Sequence, residues 1–245
     1  MKLLCCVSYL GTNYQGWQKQ PDTPTVQGEI EKVLSQILNK EISIYGSGRT
    51  DAGVHAENQY FHFEIEKTID LDRLRYSANC LLPKDIFIKK ITQVDDSFHA
   101  RYSAKSKTYS YRILFGERNP FKDALETSIP YEVDHNLLIE SLKLFEGTHN
   151  FMDFTSKEED EDGFVRTIYS VETKFDENTN EFEVVFNGNG FMRYQIRNMV
   201  GTALAVASHK ENIDFIKYHL SNRTSREIVS YKASPEGLYL MDVNY

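Results

Sequence analysis

Cysteine is scarce in this chain. Three residues in 245, an odd number, give no basis for a disulfide framework. Cys5 and Cys6 are adjacent in a strand-like run, where successive side chains point to opposite faces. With Cys80 they are expected to be reduced core residues. No CxxC pair and no HExxH motif occurs, which removes the common zinc arrangements. His55, His62 and His99 lack metal-ligand spacing and have no acidic partner cluster, so no metal is expected. No stretch approaches the ~18 apolar residues of a membrane span. Ser8, Gly11, Thr12 and Asn13 end the N-terminal apolar run early, so no signal peptide is expected either. A soluble cytoplasmic protein is the resulting expectation. An excess of positive charge is missing too. Lys and Arg number 28 against 36 Asp and Glu, a net charge of −8. Taken alone, that argues mildly against nucleic acid, because phosphate contacts use Lys and Arg.

What is present points elsewhere. Hydrophobic residues at 40% and aromatics at 13% are enough for a core and argue against disorder. Charges also segregate. Lys157–Asp162 holds five acids in six residues and reads as a solvated loop. Basic residues collect elsewhere: Arg101, Lys105, Lys107 and Arg112, then Arg193 and Arg197, then Arg223, Arg226 and Lys232.

Periodicity gives two similar halves. In the first, Lys2–Tyr9 reads as a strand and Thr25–Leu38 as a helix, with Thr25 as N-cap and Val26, Ile30, Val33, Leu34, Ile37 and Leu38 on one stripe. Ile42–Tyr45 and Asn58–Ile65 read as strands. Asp70–Leu82 reads as a helix with Leu71, Leu74, Ala78, Leu81 and Leu82 inward, and Asp85–Val94 as a strand. That order, βαββαβ, is the ferredoxin-like unit. The second half repeats it: a strand over Lys107–Phe115, a helix over Asp134–Glu146 with Gly147 as its C′ residue, a hairpin of Val165–Phe175 and Glu181–Phe186, a helix over Arg193–His209, a further helix over Glu211–Leu220, and a strand over Leu238–Val243. The fold class expected is α+β, with two ferredoxin-like halves over 1–104 and 105–245.

Between the second and third strands lies Gly46-Ser47-Gly48-Arg49-Thr50-Asp51-Ala52-Gly53-Val54-His55-Ala56. Glycine permits positive φ and close approach by another molecule. A carboxylate held on such a loop by flanking strands can be aimed at a ligand. In an extended stretch Arg49 and Asp51 would point the same way. The ordinary alternative is turn chemistry, since Asp beside Gly is common in turns.

This eleven-residue string closely resembles the active-site signature of the tRNA pseudouridine synthase A family, with only Ser47 departing. The resemblance runs in order along nearly the whole chain. It takes in Tyr14-Gln15-Gly16-Trp17-Gln18, Thr25-Val26-Gln27-Gly28, Phe98-His99-Ala100-Arg101-Tyr102, Lys107-Thr108-Tyr109-Ser110-Tyr111, Gly147-Thr148-His149-Asn150-Phe151 with Arg166-Thr167-Ile168, Gly190–Gly201, and Glu236-Gly237-Leu238-Tyr239-Leu240.

The resemblance implies an enzyme that isomerises uridine to pseudouridine in the anticodon stem-loop of tRNA. It implies two RNA-recognition-like domains whose antiparallel sheets join around an active-site cleft, a homodimer, a tRNA partner and no cofactor. It assigns Asp51 as the carboxylate acting at C1′, either as nucleophile or by removing a sugar proton to give a glycal. By the same resemblance Arg49 enters the space left by the flipped base. Tyr109 stacks on the uracil, Leu238 packs on its other face, and Arg197 is the cation that keeps Asp51 ionised. Tyr111 and Tyr102 are expected to be core or support. Arg101, Lys105, Lys107, Arg193 and Arg223 are expected to contact phosphates, and His55 and His99 to make local hydrogen bonds or tRNA contacts. Two rivals are weaker on the residues. A phosphate-cradling loop would carry Lys-Ser/Thr after the glycines and lead into a helix. A non-catalytic RNA-binding module would carry an RNP1 pattern, which is absent.

Overall fold

A computed structural model describes residues 1–66, 68–158, 163–221 and 224–245. Much of the acidic run, and Arg223, lie outside the described residues. The chain is mixed α+β and divides into two compact units: residues 1–105 with Tyr239–Tyr245, and Ser106–Leu238. The last strand, expected to complete the second half, thus belongs mostly to the first unit.

The first unit contains β1 (Lys2–Tyr9), α1 (Val26–Leu38), β2 (Tyr45–Gly46), β3 (His55–Glu64), α2 (Leu71–Leu81) and β4 (Ile86–Val94). β1 lies between β3 and β4, antiparallel to both, and β2 pairs antiparallel with the far end of β3. This is the expected βαββαβ arrangement. The closing strand β10 (Leu238–Asn244) runs parallel to β3, with Tyr239 opposite His55 and Leu240 opposite Ala56. Each helix starts as its sequence requires. Thr25 Oγ1 accepts the Gly28 N–H (3.3 Å), and Asp70 Oδ1 accepts the Arg73 N–H (3.0 Å). The core is built from Leu3, Cys5 and Val7 of β1, Phe61 and Phe63 of β3, Ile86 and Ile88 of β4, and the inner stripes of both helices.

Three expectations for this unit fail. Ile42–Ile44 form no strand; only Tyr45–Gly46 pair. Ile42 and Ile44 are buried instead by α1, where buried Glu31 accepts the Ile44 N–H (3.0 Å) and Ser35 Oγ the Ile42 N–H (2.9 Å). Side-chain acceptors there take over the role of a sheet ladder. Leu81 is 48% exposed, because the inward stripe of α2 ends at Ala78. Cys80, beside it, is also exposed rather than core.

The second unit contains β5 (Ser106–Phe115), β6 (Thr127–Ile129), α3 (His135–Lys143), β7 (Gly147–Asn150), β8 (Val165–Asp176), β9 (Glu181–Gly188), α4 (Gln195–Ala207) and α5 (Ile213–Leu220). β9 lies between β5 and β8, antiparallel to both; β7 extends the sheet beyond β8, and β6 pairs parallel with β5. Short strands β6 and β7 escape a periodicity search. α3 ends at Lys143, so Gly147 is not its C′ residue; with φ +111° it opens β7. Twelve of the thirteen residues of α4 are buried. A helix apolar or covered all round is a core element.

Gly201 explains how α4 is covered. A Cβ there would sit 2.8 Å from Ala233 N, 2.9 Å from Lys232 N and 2.9 Å from Tyr231 C. Backbone therefore lies directly on the helix. Ala normally gains about 1 kcal/mol over Gly in a helix interior. Overpacking costs about 1–3 kcal/mol, and here the obstacle is main chain that cannot rotate aside. Gly201→Ala is expected to lower the urea midpoint despite its better helix propensity; a raised midpoint would refute this packing.

Candidate active site

Asp51 sits on the loop joining β2 to β3, as the sequence indicates. Its surroundings within the first unit come from the N-terminal segment. Gly11 N–H donates to His55 Nδ1 (2.9 Å), Trp17 N–H to Thr50 O (3.1 Å), and Gly53 N–H to Tyr14 O (3.3 Å). A Cβ at Gly16, which has φ +94°, would lie 2.6 Å from Thr50 O. A Cβ at Gly11 would lie 2.0 Å from Val54 O. Only glycine allows two backbones so close. Trp17 is fully buried, and its indole lies where a Cβ on Gly46 would be, 2.6 Å from Nε1.

The loop is also held from β3. Buried Gln59 accepts the Ser47 hydroxyl and the Tyr60 N–H (3.1 Å), and donates through Nε2 to Gly48 O (3.0 Å). Ser47 N–H donates to Tyr60 O (2.7 Å). Asp51 O accepts the Val54 N–H (3.2 Å), closing a turn in which Gly53 has φ +79°. Along the loop Arg49 is exposed, Thr50 buried and Asp51 half-buried. His55 is fully buried, its ring tilted against that of Tyr239 with centroids 4.7 Å apart. Its Nδ1 is an acceptor, so it makes the local hydrogen bond expected of it.

In the second unit, Tyr109 lies on β5, buried, with Phe191 edge-on at 5.2 Å. Arg197 lies in the first turn of α4 and is only 8% exposed, so it is not a solvated surface arginine. Its Nε donates to Ala233 O (2.8 Å), while its own carbonyl accepts the Ala233 N–H (2.9 Å). The Tyr194 ring gathers three cations: Lys232 Nζ at 4.5 Å, Arg193 at 4.7 Å and Arg197 at 5.4 Å from its centroid. Leu238 opens β10 and is buried. Tyr111 is fully buried, its hydroxyl on Thr127 Oγ1 and Ser234 O (both 2.7 Å). Tyr102, by contrast, is not core: it is 71% exposed beside Arg101. Arg101, Lys105 and Arg193 are exposed. Among the described residues, no group of three or more His, Cys, Asp or Glu is arranged to hold a metal, and no helix is long and apolar enough to cross a membrane.

Sequence reasoning missed Tyr9, Gly11, Gln59 and the packing role of Gly16 and Trp17. The available signal was a second glycine pair, Gly11 and Gly16, flanking aromatics just after β1.

The chain matches a family model described as tRNA pseudouridine synthase over residues 5–103 and 142–245. These segments contain Arg49, Asp51, Arg197 and Leu238; Tyr109 falls between them. The class is therefore that of the pseudouridine synthases, and the chain belongs to the tRNA pseudouridine synthase family. It is 42% identical to the tRNA pseudouridine synthase A of Geobacillus sp. (strain WCH70), covering 100% of this chain and 98% of that protein. It is 38% identical to the protein of that name from Streptococcus sanguinis (strain SK36), covering 98% and 96%. Among solved structures, a Cbf5-Nop10-Gar1 complex shares 14% identity at TM-score 0.38, over 97% of this chain and 57% of that one.

Beside the loop, at the other end of the β2–β3 pairing, His62 is buried. Its Nδ1 accepts the Ala100 N–H (3.2 Å), and its ring stacks on Tyr45 (5.1 Å) and meets His99 (4.6 Å). Burial, then His99 and Lys2, push its pKa down to about 4, against the opposing pull of Glu64 and the Tyr45 backbone. Burial, then Lys2 and Arg101, lower His99 as well. Between its ordinary value of 6.5 and about 4, the unfolded chain binds a proton at residue 62 that the folded chain does not. Unfolding free energy is therefore expected to fall as pH drops through that window. His62→Asn, which keeps an acceptor for Ala100, should flatten the dependence in urea titrations from pH 7 to 4; an unchanged slope would exclude His62 as its source.

Proposed function

We propose that this chain isomerises uridine to pseudouridine in the anticodon stem-loop of tRNA, with Asp51 as the reacting carboxylate. The supporting observation is the loop itself: a half-buried aspartate, two residues after an exposed arginine, on a backbone fixed from two sides. The reaction breaks C1′–N1, turns the uracil and joins C1′ to C5; C5 loses a proton and N1 gains one. It is redox-neutral, so the reading needs no cofactor. Asp51 acts at C1′, either by attack or by proton removal from the sugar.

The target base must leave its stack to be reached. Arg49, exposed two residues before Asp51, is assigned to the space the base vacates. Tyr109 and Leu238 are assigned to the uracil faces, and Arg197 to supplying positive charge that favours an ionised carboxylate. Exposed Arg101, Lys105 and Arg193 fit contacts with tRNA phosphates despite the overall charge of −8. A homodimer acting in the cytoplasm completes the reading; relatives of 37–42% identity over almost the full chain, named tRNA pseudouridine synthase A, support its tRNA-modifying part.

Release of tritium from tRNA transcribed with uridine labelled at C5 tests this, because forming C1′–C5 expels that hydrogen. Wild type should release label. Asp51→Ala should release none while still binding tRNA. Arg49→Ala should bind tRNA productively less well and turn over more slowly. Full turnover by Asp51→Ala would remove that residue from the chemistry.

A further inference from the structure

We infer that Tyr9 is a positioning residue for Asp51, acting through the hydroxyl of Thr50. This rests on Asp51 being the reacting carboxylate.

Thr50 lies between Arg49 and Asp51 and turns its hydroxyl inward. Arg49 is exposed and Asp51 half-buried, while Thr50 is 8% exposed. Its hydroxyl meets the Tyr9 phenol at 2.8 Å, and its carbonyl accepts the Trp17 N–H at 3.1 Å. The peptide leading into Asp51 is thereby tied through a side chain and through the main chain. Gly16 closes on the same carbonyl from beside it.

Tyr9 is itself firmly placed. It ends β1, is buried, and lies 5.9 Å from the Trp17 ring. Burial raises its pKa above the ordinary phenol value, so the hydroxyl stays protonated; Thr50 and Gln59 hydrogen bonds oppose that shift. Through Gln59 the same network reaches Ser47 and Gly48 at the start of the loop.

The register beside Tyr9 is irregular. Val7 stands opposite Gln59, but Tyr9 stands opposite Ala56, so Glu57 and Asn58 of β3 face Ser8 alone. A bulge of this kind re-aims side chains and is common beside active sites. It leaves Gln59 and Ala56, three residues apart, both buried against the face that carries Val7 and Tyr9.

Burying two hydroxyls carries a desolvation cost that Phe and Val at these places would avoid. What the pair adds is direction, since a hydrogen bond fixes geometry where apolar packing permits sliding. A displacement near 1 Å of a reacting group can lower a rate by about 100-fold.

The test compares Tyr9→Phe, Thr50→Val, their double variant and Thr50→Ser with wild type, by tritium release under saturating and limiting tRNA. Tyr9→Phe and Thr50→Val should each lower kcat by about tenfold or more, with KM within about twofold. Because the two hydroxyls act as one unit, the double variant should fall no further than the worse single one. Thr50→Ser, which restores the hydroxyl, should recover most of kcat. Thermal melts of all four report whether they are folded. Wild-type kcat in Tyr9→Phe, multiplying losses in the double variant, or losses that track unfolding would each overturn the positioning role. If wild type itself released no tritium, the functional reading would fail and this role with it; an active wild type with an inactive Asp51→Ala and an unaffected Tyr9→Phe would overturn this role alone.

Discussion

The contact on which the first unit depends is main chain against main chain. Residues 11–17 lie so close to residues 50–54 that a single methyl group at Gly11 or Gly16 would overlap backbone atoms. Such an approach leaves no room for water between the strands of chain. The polar groups at the seam must then pair with one another, and they do: Gly11 with His55, Trp17 with Thr50, Gly53 with Tyr14. A loop carrying three glycines would be expected to be loose. Here the Trp17 indole presses on Gly46, and Gly11 and Gly16 let the neighbouring backbone close on the loop, which is consequently fixed.

The second unit uses the same device for a different end. Gly201 in α4 and Gly237 before β10 each admit backbone where a Cβ would collide, with Arg112 O 2.5 Å from the position at Gly237. The segment around Ala233 is laid on α4 in this way, and its main chain satisfies Arg197 at both ends. An arginine buried among hydrogen-bonded carbonyls loses rotamer freedom before any ligand arrives, so less ordering remains to be done on binding. Tyr194, in a left-handed conformation at the helix start, keeps three cations over one ring. A locally basic surface therefore exists in a chain whose total charge is −8.

The regular elements were legible in the sequence because they are amphipathic. Thr25, Asp70 and Asp134 mark helix starts, and each side chain accepts the expected backbone N–H. The βαββαβ order of the first unit, the position of Asp51 between strands and the strand expected over Glu181–Phe186 needed nothing beyond spacing. Ile42–Ile44 misled because their apolar alternation is satisfied by α1 and by Glu31 and Ser35, not by a neighbouring strand. Leu81 and Tyr102 misled because hydrophobicity says a residue can be buried, not that an element reaches far enough to bury it.

By itself the sequence determined local conformation, helix starts, the loop that carries Asp51 and the family, since these depend on neighbours a few residues apart or on motifs kept in order. Only the tertiary structure decided that β10 pairs with β3 nearly two hundred residues earlier. It also decided that Tyr9 meets Thr50, that Gln59 spans the loop, and that Arg197 is buried rather than solvated. The physical reason is the same in each case. These contacts join residues far apart in the chain, and their geometry is set by register, bulges and close backbone approach, none of which leaves a periodic trace in the amino-acid order.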